Sequence, residues 1–457
     1  MKKLSVIFIL QLLFCTNLLA QQPHIIIIYT DDMGIGDMSC SGGEVEPTPN
    51  IDRLAQGGKR FTQYYTTAPV CSPSRVSVTT GMYHVKWNIN TFLSSRRFNA
   101  KCEQSDFLVA EAPTIAKTLK TAGYKTAHYG KWHMGGGRDV KNAPSIAEYG
   151  FDDFASTWES PNPDPLLTSG NWIWTAEDSI KRWERTAYFV DKTLAFLDAN
   201  KETPCFINLW PDDVHSPWVP DESSQENWKG TAFNLDKMQL VMGEFDKQIG
   251  RLLDGLEQKG LLENTLIIFT SDNGPAPSFD RIRTNGLRGV KNSLYEGGIL
   301  MPFIVHWPKK VQAGQVDSAS VIASIDLLPT LCKIANAQLP EHFQPDGEDI
   351  SKSWLRKKSY EREQDLFFEY GRNEDFKYPK NGTDRSLHLA VRHGDWKLFA
   401  TPDGKTVELY NLKSDPTESH NLVQEKQEIV KELLPKLLSW FASSDKAYVS
   451  GNNLMSK

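Results

Sequence analysis

Cysteine is scarce in this 457-residue chain, which has six. Cys15 falls in an N-terminal segment that reads as cleaved, leaving Cys40, Cys71, Cys102, Cys205 and Cys332. No pair has CxxC spacing, which argues against a zinc finger or a thioredoxin-like motif, and an odd number leaves at least one thiol unpaired. So few, scattered cysteines do not make a disulfide scaffold. Long apolar runs are also few: after residue 20 no segment is long and apolar enough to span a bilayer. There is no low-complexity tract and no repeat of solenoid period. Positive charge is not in excess either. Lys and Arg total 51 against 57 Asp and Glu, for a net charge of −6. A net acidic chain is a poor partner for nucleic acid. An anionic ligand must therefore be drawn by a local cluster of cations.

The N-terminus has the parts of an export signal. Lys2 and Lys3 form a charged region, Leu4 to Leu19 an apolar one, and Ala20-Gln21 a small-residue cleavage site. Residues 1–20 are read as a signal peptide and the mature protein as exported and periplasmic. Beyond it, short apolar runs bounded by turn residues read as buried parallel strands at 24–29, 125–129, 205–210, 265–270 and 303–307. Helical patterns lie between them at 50–56, 113–122, 185–200 and 236–258, with Gly57-Gly58, Gly123 and Gly260 as stops. This alternation predicts an α/β fold, a large mostly parallel sheet flanked by helices, over residues 21–355. Residues 356–457 change character. Leu387 to Leu412 alternates around Gly394-Asp395 and Asp403-Gly404, and 424–442 reads as a helix. A smaller α+β subdomain with an antiparallel sheet is expected there.

Chemistry collects after the strands. Asp31-Asp32 follow the first and Lys131 and His133 the second. Asp212-Asp213 and His215 follow the third, and Asp272-Asn273 the fourth. Ligands of open parallel sheets bind beyond the carboxyl ends of the strands, so these groups share one edge. Asp31, Asp32, Asp272 and Asn273 offer only oxygen donors, which suit Ca²⁺ or Mg²⁺ rather than zinc. In Cys71-Ser72-Pro73-Ser74-Arg75, Ser72 reads as a helix N-cap and Pro73 as the first helical residue. That would place Cys71 at a helix N-terminus, where an anion is favoured, with Arg75 one turn on. His128 and His306 fall within strands and read as core residues.

Cys71-x-Pro73-x-Arg75 followed by Thr80-Gly81 resembles the signature of the type I sulfatases. Thr30-Asp31-Asp32, Thr48-Pro49-Asn50-Ile51-Asp52, Gly130-Lys131-Trp132-His133 and Ser271-Asp272-Asn273-Gly274 resemble further motifs of that family, in its order. So do Gly289-Val290-Lys291 with Tyr295-Glu296-Gly297-Gly298, and Leu409-Tyr410-Asn411-Leu412 with Asp415-Pro416 and Glu418. The likeness covers nearly the whole mature chain and most resembles bacterial carbohydrate sulfatases. It implies an alkaline-phosphatase-like superfold. It also implies a Cys71 converted to formylglycine by a maturase that acts transiently, and one calcium ion on Asp31, Asp32, Asp272, Asn273 and residue 71.

The resemblance implies roles as well. The aldehyde hydrate supplies one hydroxyl to attack sulfur and a second whose collapse ejects sulfate. Arg75 orients the diol, Lys131 and Lys291 neutralise sulfate oxygens, and His133 is the base of regeneration. His215 is the general acid on the leaving alcohol, although Asp213-Val214-His215-Ser216-Pro217 departs from the family's usual form. Departures at 82–88 and at Gly135-Gly136-Gly137-Arg138 are candidates for specificity. A sulfated saccharide is the expected substrate, galactose or N-acetylgalactosamine sulfate first. His84, Trp87, Trp174, Asp213, Trp218, Arg281, Arg283 and Arg372 are candidate rim residues. Two alternatives stand beside this reading. One is a phosphatase or phosphonate monoester hydrolase of the same superfold, and the other a non-catalytic binder of sulfated glycans.

Overall fold

The structure is a computed structural model that describes residues 22–167, 178–227, 233–356 and 358–447. The signal segment 1–20 and Trp174 lie outside the described residues. Nine strands form the main sheet: β1 (His24–Thr30), β2 (Lys59–Tyr65), β3 (Lys125–Gly130), β4 (Asp153–Ser156), β5 (Cys205–Trp210), β6 (Thr265–Ser271), β7 (Leu300–His306), β8 (Gln315–Asp317) and β9 (Ile322–Ala323). Their order is β4-β3-β5-β1-β6-β7-β2-β8, with β9 also pairing β2.

Strands β4, β3, β5, β1 and β6 run parallel. Ile25, Ile27 and Tyr29 of β1 enter one apolar cluster, while Ile26 and Ile28 enter the other. A strand whose side chains alternate between two covered faces must be apolar throughout, which is why His24–Thr30 shows no polar alternation. Helix α1 (Pro49–Gln56) and helices Arg185–Ala199 and Leu235–Gln258 pack on one side. Helix α2 (Cys71–Thr80) and helices Ile115–Lys120 and Leu327–Ala335 pack on the other.

Two readings from sequence need correction. The run 303–307 was taken as another parallel strand, but β7 is antiparallel to both β6 and β2. Residues 272–299 supply only short helical turns before it, not the long crossover helix that a parallel return needs. Strand β2 was not foreseen. Its sequence, Lys-Arg-Phe-Thr-Gln-Tyr-Tyr, is polar on its half-buried positions and is broken by a bulge between Phe61 and Tyr64.

A second sheet is antiparallel and four-stranded: β10 (Leu366–Glu369), β11 (Leu389–His393), β12 (Trp396–Ala400) and β13 (Val407–Asn411), in that order. Helix Gln427–Ala447 covers β11 and β12. A buried ion group joins the two sheets. Lys397 of β12, fully buried, lies 2.7 Å from Glu296 Oε1 and 2.9 Å from Glu418 Oε1. Glu418 also accepts from the Glu296 backbone N–H at 2.7 Å, and Tyr65 of β2 donates to Glu296 at 2.6 Å. Burial pushes Glu418 up to about 7; Lys397 pulls the other way and Glu296 adds to the rise. Removing Lys397 would strand two buried carboxylates with no cation. Lys397→Met is expected to cost about 3–5 kcal/mol in urea denaturation, and a cost below 1 kcal/mol would show that the group is not load-sharing.

Candidate active site

The register of β1 against β6 sets the site. Thr30 pairs with Ser271, so the residues that follow, Asp31-Asp32 and Asp272-Asn273, leave the sheet side by side. The Asp272 N–H still donates to Thr30 O at 3.1 Å, and the Asp32 N–H donates to Asp272 Oδ1 at 3.1 Å. The loop after β6 can turn this tightly because Gly274 and Gly297 are bare. A Cβ on Gly274 would lie 2.1 Å from Gly297 O. Asp32 and His133 both hold left-handed backbone, φ 60° and 52°. Such conformations gather where structure over-determines them, at sites of function.

Cys71 is the first residue of α2, and Val70 precedes it as N-cap without a side-chain bond. The helix thus begins two residues earlier than the predicted Pro73, and Ser72 does not cap it. Its hydroxyl instead accepts from the Leu93 N–H at 2.9 Å. Pro73 remains in the first turn, where its missing N–H costs no bond. Cys71 is buried, and Sγ has Lys291 Nζ at 3.4 Å, with Lys131 Nζ and Asp31 Oδ1 each at 3.6 Å.

Arg75, one turn on, is wholly buried. Its Nη2 bridges Asp272 Oδ2 (2.7 Å) and Asp31 Oδ1 (3.2 Å), and Nη1 donates to Lys131 O (2.9 Å). Lys131 Nζ binds Asp31 Oδ2 at 2.8 Å. Lys291 Nζ binds both oxygens of Asp32, at 2.6 and 2.9 Å. Burial opposes ionisation of Asp31, yet Lys131, His215, Arg75 and Lys291 hold it well below the ordinary carboxylate value. Burial also opposes charge on Lys291, but Asp32 outweighs it and holds the ammonium well above its ordinary value. Asp272 is the carboxylate left under strain. Burial pushes it up to about 7; Arg75 opposes the rise, and Asp31 and Asp32 add to it.

A cation fits this donor set. Ligand atoms of Asp31, Asp32, Cys71 and His215 lie within 4.8 Å of one another. Asn273 Nδ2 donates to Asp32 Oδ1 at 2.7 Å, which leaves its buried Oδ1 without a hydrogen-bond partner. An unpartnered buried oxygen costs free energy unless something binds it.

Burial disfavours the charged form of both histidines near Cys71. Burial lowers His215, with Asp32 opposing and Lys291 reinforcing the shift. Its Nδ1 faces the Ser216 carbonyl at 2.6 Å and so carries the proton, and its Nε2 then accepts from Lys291 at 3.2 Å. Burial lowers His133 to about 4 against the pull of Glu159. Its Nε2 faces Leu93 O at 2.9 Å and Glu159 Oε2 at 3.3 Å, which puts the proton there. Nδ1 is then a buried lone pair with no hydrogen-bond partner.

The rim candidates fare differently. Trp87 and Trp218 are 2% and 0% exposed. Trp218 is stacked on Phe279 and donates to Val214 O, so neither tryptophan can offer a face to a sugar. Arg283 is buried in a bidentate pair with Asp37, and its Nη2 holds the Asp32 carbonyl at 2.8 Å. It supports the Asp31-Asp32 loop from behind. His84 is buried and donates from Nδ1 to Ile89 O. Asp213 is buried against Thr186, Arg281 is paired with Asp384, and Arg372 with Glu369. These loops pack over one another, and a loop position in sequence does not reveal that.

The cavity beside Cys71, about 240 Å³, is lined instead by Lys131, His133, His215 and Lys291, with Phe92, Arg138, Glu159, Asn292 and Lys377 around them. Glu159 follows β4 at the same sheet edge and was missed because β4 was not read as a strand. Arg182 was also missed. It clamps the loop behind His215, donating to Asp212 O at 3.0 Å and His215 O at 2.9 Å.

Fold and site together define a hydrolase of anionic esters: a candidate nucleophile at a helix N-terminus, two ammonium groups over it and a carboxylate cluster that can hold a cation. The family model "Sulfatase" matches residues 23–337, and "N-sulphoglucosamine sulphohydrolase, C-terminal" matches 290–442. The chain belongs to the sulfatase family and hydrolyses sulfuric esters, on an alkaline-phosphatase-like fold. It is 29% identical to N-acetylgalactosamine-6-O-sulfatase of Bacteroides thetaiotaomicron, over 91% of this chain and 92% of that protein. It is 29% identical to human arylsulfatase A, over 88% and 84%. A solved structure from work on the metabolism of multiple glycosaminoglycans by Bacteroides thetaiotaomicron superimposes with a TM-score of 0.74 at 26% identity, covering 93% of this chain and 99% of that one.

The floor under Arg75 is aromatic. The guanidinium lies 5.3 Å from the Trp210 ring and 5.6 Å from Tyr29. His128 packs edge-on to Trp210, Trp132 and Phe151, a core residue as expected. Burial, then Arg75, lowers it to about 3. Its unfolded form gains a proton as pH falls through 6.5 and the folded form does not, so its contribution is full above that pH and lost below it. His128→Phe removes this term. Relative to wild type, the variant should gain about 2 kcal/mol between pH 7.5 and 5.0. Urea denaturation at both pH values measures it, and an unchanged difference would show that His128 titrates normally.

Proposed function

We propose that the chain releases sulfate from a sulfated carbohydrate through a formylglycine hydrate at position 71 and a calcium ion on Asp31, Asp32, Asp272, Asn273 and residue 71. The observation that carries this reading is the placement of Cys71 Sγ among Lys291, Lys131 and Asp31 at 3.4–3.6 Å. Burial pushes the thiol up, although Lys131 and Lys291 oppose it, so an unmodified Cys71 is a poor thiolate nucleophile. A hydrate there supplies a geminal diol, one hydroxyl for attack on sulfur and one for release of sulfate. Bound by those residues, the ion would supply Lewis acidity toward the ester.

The remaining work falls to this chain's own groups. Arg75 orients residue 71 through Asp31 and Asp272. Lys131 and Lys291 meet the sulfate oxygens with donors already in place. The His133 Nδ1 lone pair accepts the proton of the second hydroxyl, its tautomer fixed by Glu159 and Leu93 O. The Lys291–His215 pair holds the proton for the leaving alcohol. The signal-like segment 1–20 supports export to the periplasm, and the protein depends there on earlier encounter with a maturase. The names of its relatives support a galactosamine-type sulfate as the first substrate to test. A two-metal phosphatase is less well supported, since one candidate cation cluster occurs among the described residues.

Peptide mass spectrometry across residue 71 of active enzyme tests the central claim. An aldehyde or its hydrate is expected, and an intact thiol in fully active protein would overturn it. His215→Ala is expected to lower kcat about 10²- to 10⁴-fold on a sugar sulfate, whose alkoxide needs a proton, and far less on an aryl sulfate with an acidic phenol. Equal losses on both would remove the Lys291–His215 pair from proton donation.

A further inference from the structure

Two cations reach the catalytic cavity from outside the strand-end set, and both are mounted on constrained backbone. Arg138 follows Gly135, Gly136 and Gly137, whose φ values are 123°, 88° and 75°, and has φ 51° itself. A Cβ on Gly135 would lie 2.2 Å from Phe107 Cβ, and one on Gly136 would lie 2.2 Å from Pro161 N. Only glycine permits this close run, and it delivers Arg138 beside Trp158, 5.1 Å from the ring centroid, and Glu159, Nη2 to Oε1 2.9 Å. The bond to Glu159 uses Nη2 alone, and the Arg138 side chain remains 33% exposed.

Lys377 comes from the segment between β10 and β11. Its neighbours Phe376 and Tyr378 both pack edge-on against Tyr370, at 5.5 and 6.2 Å. The Tyr370 hydroxyl sits 2.7 Å from Lys377 O and 2.8 Å from Asn292 Oδ1. The backbone of Lys377 is thereby tied to the residue next to Lys291. Lys131 and Lys291 are bound to Asp31 and Asp32, whereas Lys377 is exposed and has no carboxylate partner among the described residues.

The ammonium groups at the cavity floor are thus paired with carboxylates, while its wall carries an ammonium without a carboxylate partner among the described residues and a guanidinium bonded to Glu159 through Nη2 alone. We propose that Arg138 and Lys377 form a second anion subsite in the catalytic cavity, so that the preferred substrate bears another anionic oxygen group beside the scissile sulfate, a carboxylate or a second sulfate. Arg138 presents its planar fork to that group and Lys377 a point charge. The inference rests on the sulfate-ester reading and adds to it the class of sugar.

The test compares kcat/KM on N-acetylgalactosamine 6-sulfate, on its 4,6-disulfate and on a disaccharide joining a uronic acid to the same monosulfate. Wild type is expected to favour one of the doubly anionic sugars by about tenfold. Preference for the disulfate or for the uronate identifies the source of the anion. Lys377→Ala should abolish the preference and Lys377→Arg should keep it. Equal kcat/KM on all three in wild type, or an equal fall on all three in Lys377→Ala, overturns the subsite. Calorimetric binding of the same sugars to Cys71→Ser protein needs no turnover. Retained ranking of affinities without turnover in wild type counts against the hydrolytic reading alone. Full turnover with flat affinities counts against the subsite alone.

Discussion

The structure turns on one fully buried guanidinium. Arg75 bridges Asp272 and Asp31 at the ends of two neighbouring strands, with no exposure to water. Asp31, Asp32 and Asp272 lie together there, and their mutual repulsion in a low dielectric would be prohibitive without Arg75, Lys131 and Lys291. The β1–β6 register brings the acids together, and α2 must then start where it does for Arg75 to reach both. A helix beginning at Pro73 would shift Cys71 out of the helical turn that fixes its Sγ. The position of Cys71, the carboxylate cluster and the start of α2 are therefore one constraint.

The second sheet closes the same system from the other side. Glu296 lies in the turn that follows Lys291, and Lys397 and Glu418 grip it from β12 and the segment after β13. Gly274 and Gly297 let the loop after β6 rest on that turn. Displacing the second sheet would move Lys291, and Lys291 touches Asp32, Cys71 and His215. The C-terminal residues thus act on the chemistry through packing, while Lys377 from the same region reaches the cavity directly.

The clustering of Asp31-Asp32, Lys131, His215 and Asp272-Asn273 at one sheet edge was legible because each follows a strand, and a buried parallel strand is a plain apolar run. What escaped was written in contacts between distant loops. Trp87, Trp218 and Arg283 read as rim residues because aromatics and arginines in loops over the pocket would suit a sulfated sugar. Each is instead buried beneath a neighbouring loop, and Arg283 serves Asp32 through its carbonyl. Glu159 escaped because β4, only four residues long, gives too short a run to read. The orientation of β7 escaped because an apolar run is the same in either direction.

An acidic protein that handles an anionic ester has to separate global from local charge. Lys131 and Lys291 are oriented by carboxylates and lie within 3.6 Å of Cys71 Sγ, so two ammonium donors are already ordered beside that position on folding. Burial disfavours charge on His215 and His133, and each has one ring nitrogen facing a backbone carbonyl. Burial raises the Cys71 thiol although Lys131 and Lys291 pull the other way, so the site is poorly built to ionise the cysteine that the gene encodes, a difficulty that the proposed aldehyde hydrate at residue 71 would avoid.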